Sequence, residues 1–113
     1  MGAGAVPWEV DCQTVHEQLQ RGTDLLLIDC REPDEHAIVH IEGARLIPLG
    51  ELTDRLAELA PYRGQPIAVH CHHGGRSLKA AVWLRQQGFE RAQSMAGRID
   101  RWAMEIEPSL PRY

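Results

Sequence analysis

Nine residues in mid-chain, VHCHHGGRS at positions 69–77, hold a cysteine, three histidines, two glycines and an arginine. Three chemistries use such a set: a metal centre, a nucleotide phosphate cradle and a reactive thiol. Metal fits the spacing poorly. His70, Cys71, His72 and His73 are all ligand types, but four consecutive residues do not converge on one tetrahedral ion, and zinc sites space their ligands in pairs. His36 and His40 stand four apart but lack the glutamate of the His-Glu-x-x-His zinc helix. A nucleotide cradle needs Gly-Lys-Ser/Thr, and this loop has Gly-Arg-Ser.

A reactive thiol fits the loop best. A strand delivers Cys71 to a rim, Gly74 and Gly75 let the backbone turn tightly, and Ser77 opens a helix. Backbone N–H groups of such a loop point inward, and a helix N-terminus lies beside the sulfur; both favour the thiolate, which is the nucleophile. Arg76 adds a forked cation suited to oxyanions. A buried structural cysteine is the usual fate of the residue, but it needs no glycines, arginine and helix start behind it. Neither a metal nor an organic cofactor is expected.

The surrounding segments predict how the loop is held. Short apolar runs at 24–29 (DLLLID), 44–49 (ARLIPL) and 66–71 (PIAVHC) read as strands, with a last short strand near 91–94. Val10, Val15 and Leu19 mark a first helix behind Asp11 as N-cap, stopped by Gly22. Leu49, Leu52, Leu56 and Leu59 share one face of a second helix, which stops before Pro61. A third opens at Ser77, with Leu78, Ala81 and Val82 on one side and Gly88 as its stop; a fourth carries Ile99, Trp102, Ala103 and Ile106. Strands alternating with helices imply an α/β fold of three layers, a parallel sheet covered by helices on both faces. Ligands of such sheets bind beyond the carboxyl ends of the strands, where Cys71 falls.

The whole chain sets further limits. Its 113 residues suit one domain, expected over 8–113 behind a flexible lead-in at 1–7. The net charge of −4 gives no ground for nucleic acid or an anionic membrane as partner, so an anionic ligand must be attracted locally. The apolar runs are far shorter than the roughly twenty residues that span a bilayer. The start MGAGAV lacks the basic and apolar regions of a signal peptide, and Val6 stands where a myristoylation signal wants Ser or Thr. Three cysteines, Cys12, Cys30 and Cys71, are an odd and sparse set that suits a reducing, cytoplasmic location.

Three stretches in order resemble rhodanese domains. LLLIDCREPDEHAIVHIEGARLIPL at 25–49 is similar to the family's hydrophobic-Asp-x-Arg-Glu pattern with its later His-Ile-x-Gly-Ala and Ile-Pro-Leu. VHCHHGGRSLKAAVWLRQQGF at 69–89 resembles the active-site loop and the helix behind it, and MAGRIDRW at 95–102 resembles the closing Gly-Gly-x-x-x-Trp segment. The resemblance implies a roughly five-stranded parallel sheet and a cysteine, Cys71, that carries sulfur as a persulfide. It implies a cradle made by His72, His73, Gly74, Gly75, Arg76 and Ser77, and a rim braced by Asp29 and Arg31; a surface salt bridge is the plainer alternative for that pair. The implied activity is transfer of sulfane sulfur from thiosulfate or a similar anion to cyanide or a thiol, as a monomer or weak homodimer.

Four residues separate Cys71 from Arg76, whereas the related dual-specificity phosphatases have five and a wider cradle. A phosphatase is therefore the weaker alternative, and it also lacks an obvious general acid. A stronger one is a persulfide carrier loaded by a partner protein in a sulfur relay. The tail EPSLPRY resembles the end of rhodanese domains fused to enzymes that activate sulfur carriers. Two positions depart from the family: Glu42 replaces a common proline, and Arg98 a common glycine. Arg98 is a candidate second cation for the donor, with a solvated arginine at a helix entry as the alternative. Cys30 reads as a small apolar filler, or alternatively as a thiol that resolves a Cys71 persulfide, and Cys12 as packing.

Overall fold

Asp11 caps the first helix, as the sequence predicts. Its carboxylate accepts the Thr14 N–H at 2.7 Å, and α1 (Cys12–Gln20) gives way at Gly22, where a φ of 69° suits glycine. The computed structural model describes residues 6–71, 75–96 and 98–108, with Arg98 and Asp100 described by their backbone only. Within them β1 (Glu9–Asp11) precedes α1, and β2 (Leu26–Asp29), α2 (Pro33–Ile38), β3 (Arg45–Leu46), α3 (Leu56–Leu59), β4 (Ile67–His70), α4 (Gly75–Gln86), β5 (Ala92–Ala96) and α5 (Arg98–Glu105) follow.

The strands form one sheet in the order β1-β5-β4-β2-β3, every neighbouring pair parallel. The chain steps outward from β2 to β3 and then returns through β4 to β5. Because crossovers between parallel strands are right-handed, reversing the direction of travel puts the connecting helices on the opposite face. Two separate cores follow. Leu52 and Leu59 join Ala80, Ala81 and Leu84 of α4 against Ile28, Ile67 and Val69. On the other face, Cys12 and Val15 of α1 and Ile99 and Trp102 of α5 pack on Leu27, Ala68 and Met95. Alternate residues of each strand thus serve different cores, as the pleat requires. This is the expected three-layer α/β architecture. Among the described residues, no helix is long and apolar enough to cross a membrane.

Four local expectations need correction. Val10 lies in β1, not in the first helix, because a three-residue strand is too short to show a pattern of its own. The leucines at 49, 52, 56 and 59 do not share one helix: a 3-10 turn at Leu49–Glu51 and the four-residue α3 divide them, and Pro61 enters a second 3-10 turn. The Leu49 N–H is committed to Cys30 O at 3.0 Å and the Arg55 guanidinium to Leu46 O at 3.1 Å, so this segment follows the sheet edge. α4 begins at Gly75, two residues before Ser77, and its buried face is Ser77, Ala80, Ala81 and Leu84; Leu78 is 40% exposed. The fourth is α2, a helix the sequence reading did not include. Its signals were Pro33 in the first turn and the Glu35 carboxylate, which accepts the Glu32 N–H at 2.9 Å.

Candidate active site

Cys71 directly follows β4 and has no exposed surface. The first turn of α4 brings Ser77 against it. The Ser77 N–H donates to Cys71 Sγ at 3.3 Å, and the two side chains meet at 3.2 Å between Sγ and Oγ. Ser77 Oγ in turn lies 2.7 Å from Ser94 Oγ on β5, and either hydroxyl can donate. Because hydroxyl hydrogens rotate, this chain serves both forms of the sulfur. With a thiol, S–H donates to Ser77; with a thiolate, Ser94 donates to Ser77 and Ser77 to sulfur. The carbonyl of Cys71 accepts the Ile99 N–H at 3.4 Å, which ties the start of α5 to the same point.

Arg76, in the first turn of α4, does not stand alone as a cation. Its Nη1 and Nη2 donate to the two Glu35 oxygens at 2.7 and 2.9 Å, a bidentate clamp between α4 and α2. That pairing, outweighing partial burial, holds the Glu35 carboxyl down at about 2. The pair fixes the first turn of α4, and so fixes the Ser77 N–H against Cys71.

The opposite face of the same strand ends carries charge. Asp29 and Arg31 are both fully buried, so they are not a surface salt bridge. Asp29 accepts from Arg31 Nε at 2.9 Å, Arg31 Nη2 at 2.8 Å, the Arg31 N–H at 3.0 Å and His36 Nδ1 at 2.8 Å. Burial alone would raise its pKa; Arg31, His70 and His36 together reverse that and hold it well below the ordinary carboxylate range. Arg31 Nη2 also reaches Val39 O at 2.6 Å and so anchors the chain after α2. His70 sits beside this network with Nε2 4.0 Å from Asp29, but neither ring nitrogen has a hydrogen-bond partner among the described residues. Burial pushes it down to about 4, so it is neutral at physiological pH.

Of the residues singled out from sequence, the structure gathers Cys71, just after β4, with Gly75, Arg76 and Ser77 in the first turn of α4, and Asp29 and Arg31 one strand away. His72, His73 and Gly74 lie outside the described residues, as does the Arg98 side chain; the backbone of Arg98 opens α5. Sequence reasoning missed Glu35, His36 and Ser94. Glu35 was detectable through the Glu-Pro-Asp-Glu helix start, whereas the sequence marks His36 only as half of a histidine pair four apart. In the structure His36 stacks on His40 at 4.3 Å between ring centres and donates to Asp29. Ser94 carries no sequence signal, since only the β4–β5 register (Val69↔Ser94) brings it near Ser77.

Comparison with known proteins agrees with this fold. The family model described as a rhodanese-like domain matches residues 11–105. A sulfurtransferase of Allochromatium vinosum is 32% identical over 95 residues, which cover 84% of this chain and 87% of that protein. The probable adenylyltransferase/sulfurtransferase MoeZ of Mycobacterium tuberculosis is 36% identical over 101 residues, 88% of this chain. The chain spans only 25% of MoeZ, and 37% of a chloroplastic rhodanese-like/PpiC domain-containing protein of Arabidopsis thaliana. The crystal structure of a rhodanese-related protein from Thermoplasma volcanium superposes with a TM-score of 0.78 at 27% identity, covering 95% of this chain and all of that one. With the family model spanning nearly all of the described fold and a cysteine held between β4 and α4, the chain belongs to the rhodanese-like domain family of sulfurtransferases and sulfur carriers.

Proposed function

We propose that this chain moves sulfane sulfur from thiosulfate, or a similar anionic donor, to cyanide or a thiol through a persulfide on Cys71. The observation that carries this is the hydrogen bond from the Ser77 N–H at the start of α4 to Cys71 Sγ at 3.3 Å, a bond a thiolate accepts more strongly than a thiol. In the first half-reaction the Cys71 thiolate attacks the outer sulfur of thiosulfate, the donor S–S bond breaks, and sulfite leaves with the electron pair. In the second, the acceptor attacks the outer sulfur of the persulfide and the Cys71 thiolate leaves, a ping-pong scheme. Ser77 and Ser94 supply donors to sulfur whenever it carries charge, and the N-terminal end of the 12-residue α4 favours the anion. Arg76 acts chiefly through Glu35, as the clamp that holds that end in place. The chemistry suits a reducing, cytoplasmic setting, where the resting thiol persists.

A second reading is a persulfide carrier loaded by a partner protein. It is favoured by the absence of exposed surface on Cys71 and by the resemblance to MoeZ. Intact mass after mixing reduced protein with thiosulfate separates the two. Gain of one sulfur atom by wild type and not by Cys71→Ser, reversed by cyanide, supports direct transfer. Loading by polysulfide but not by thiosulfate favours the carrier. Failure to load with either overturns the persulfide.

A further inference from the structure

Cys30 stands beside Cys71 in the sheet, and transfer between an external donor and an external acceptor needs no second thiol there. The β2–β4 register runs from Leu26↔Ile67 to Asp29↔His70. The Leu26 N–H donates to Pro66 O, and the Cys30 N–H donates to His70 O at 3.1 Å in the same step of the ladder. The register therefore continues by one residue and sets Cys30 opposite Cys71. Neighbouring strands lie about 4.8 Å apart, within the roughly 4.4–6.8 Å between Cα atoms that a disulfide spans. Both side chains point to one face, since Ile28, Cys30, Val69 and Cys71 share a single core cluster. The contact between the two sulfurs, together with burial, pushes the Cys30 thiol well up, so it keeps its proton at rest.

We propose that Cys30 is a resolving thiol that discharges a Cys71 persulfide as hydrosulfide and leaves a Cys30–Cys71 disulfide. The step rests on the persulfide proposed above. Cys30 Sγ gives up its proton and bonds to Cys71 Sγ; the bond between Cys71 Sγ and the sulfane sulfur breaks, and that sulfur leaves with the electron pair and the proton as hydrosulfide. The two cysteines are oxidised, the sulfane sulfur is reduced by two electrons, and no outside oxidant is needed. An external thiol then reduces the disulfide and restores the site. Because Cys30 is protonated at rest, resolution is slow, so an acceptor that arrives promptly takes the sulfur first. An unclaimed persulfide is discharged instead.

The test loads reduced wild type and Cys30→Ala with sodium tetrasulfide, removes excess reagent, and follows intact mass and released hydrosulfide without added thiol. In Cys30→Ala the added sulfur should persist. Wild type should lose it on the order of tenfold faster, release a matching amount of hydrosulfide, and end lighter than the reduced chain by two hydrogens, with residues 30 and 71 joined in a peptide map. Equal persistence of the persulfide in both proteins overturns the proposal, as does hydrosulfide release without the joined peptide. If neither protein takes up sulfur at position 71, the persulfide itself fails, an outcome distinct from loading without resolution. Should Cys30→Ala not fold, Cys30→Val replaces it, and the wild-type mass and peptide map still decide.

Discussion

At the carboxyl ends of β2 and β4 two neighbouring regions are built from alternate residues of the same strands. On one face lie Cys30 and Cys71, continued by Ser77 and Ser94: small thiol and hydroxyl side chains. On the other lie Asp29 and His70, continued by Arg31 and His36: a buried charge network. Both regions have essentially no exposed surface in the strands themselves. The pleat separates chemistry that needs a quiet, polarizable environment from charges that brace the rim. The braces hold the segments from which α2, and through Glu35 and Arg76 the start of α4, are positioned.

The comparison predicts that the two sides fail differently. Cys71→Ser should abolish sulfur loading entirely, read by intact mass, while leaving the thermal unfolding midpoint close to that of wild type. Arg31→Met should do the reverse. It strands a buried Asp29 carboxylate, which costs about 3–5 kcal/mol by chemical denaturation, while the molecules that remain folded still load sulfur. If Arg31→Met proves as stable as wild type but inactive, the division between bracing and chemistry is wrong.

Acid should attack the charged side first. His70 titrates at about 4 in the fold against its ordinary 6.5, so the unfolded chain takes up its proton first; this contribution is complete above 6.5 and is lost as pH falls towards 4. Glu35, at about 2 against 4.5, adds a loss that begins near 4.5 and continues towards 2, and Asp29 acts in the same direction at low pH. Urea midpoints should therefore decline from about pH 6.5 downwards, and His70→Leu should flatten the upper part of that decline. Unchanged slope in the variant would remove His70 from the account.

Two smaller effects sharpen the boundary. Glu35→Gln releases Arg76 from its clamp and should slow loading several-fold through looser placement of the Ser77 N–H, with only about 1 kcal/mol lost in stability because the pair is partly exposed. Ser94→Ala removes one donor from the sulfur side. It should cost about 0.5–1.5 kcal/mol and slow loading less than Ser77→Ala does, read from stopped reactions with thiosulfate. A larger loading defect for Ser94→Ala than for Ser77→Ala would mean that Ser94 reaches the sulfur by another route.

Local information made much of this legible. Asp11 and Gly22 bound a helix because capping oxygens and positive φ act within a few residues, and the apolar runs became β2 and β4 because a strand buried on both faces reads as a near-continuous apolar run, broken here only by Asp29 and His70 at the ends. The placement of Cys71 at the end of β4, and of Gly75, Arg76 and Ser77 in the first turn of α4, was likewise readable, since a strand followed closely by a helix is a contiguous signal. The leucines between 49 and 59 misled for the same reason: helical spacing is a local signal, and the sheet edge that broke the helix is not.

What only the tertiary structure decided lies between segments far apart in sequence. Glu35 meets Arg76 across 41 positions, Ser77 meets Ser94 across 17, and Cys30 faces Cys71 through strand register. Strand order and register arise from the packing of two cores at once, and a shift of one residue would turn every one of these side chains to the opposite face. The sequence by itself pointed to Cys71 and to the helix start behind it; the parallel sheet chose which thiol, which hydroxyls and which carboxylate surround that cysteine.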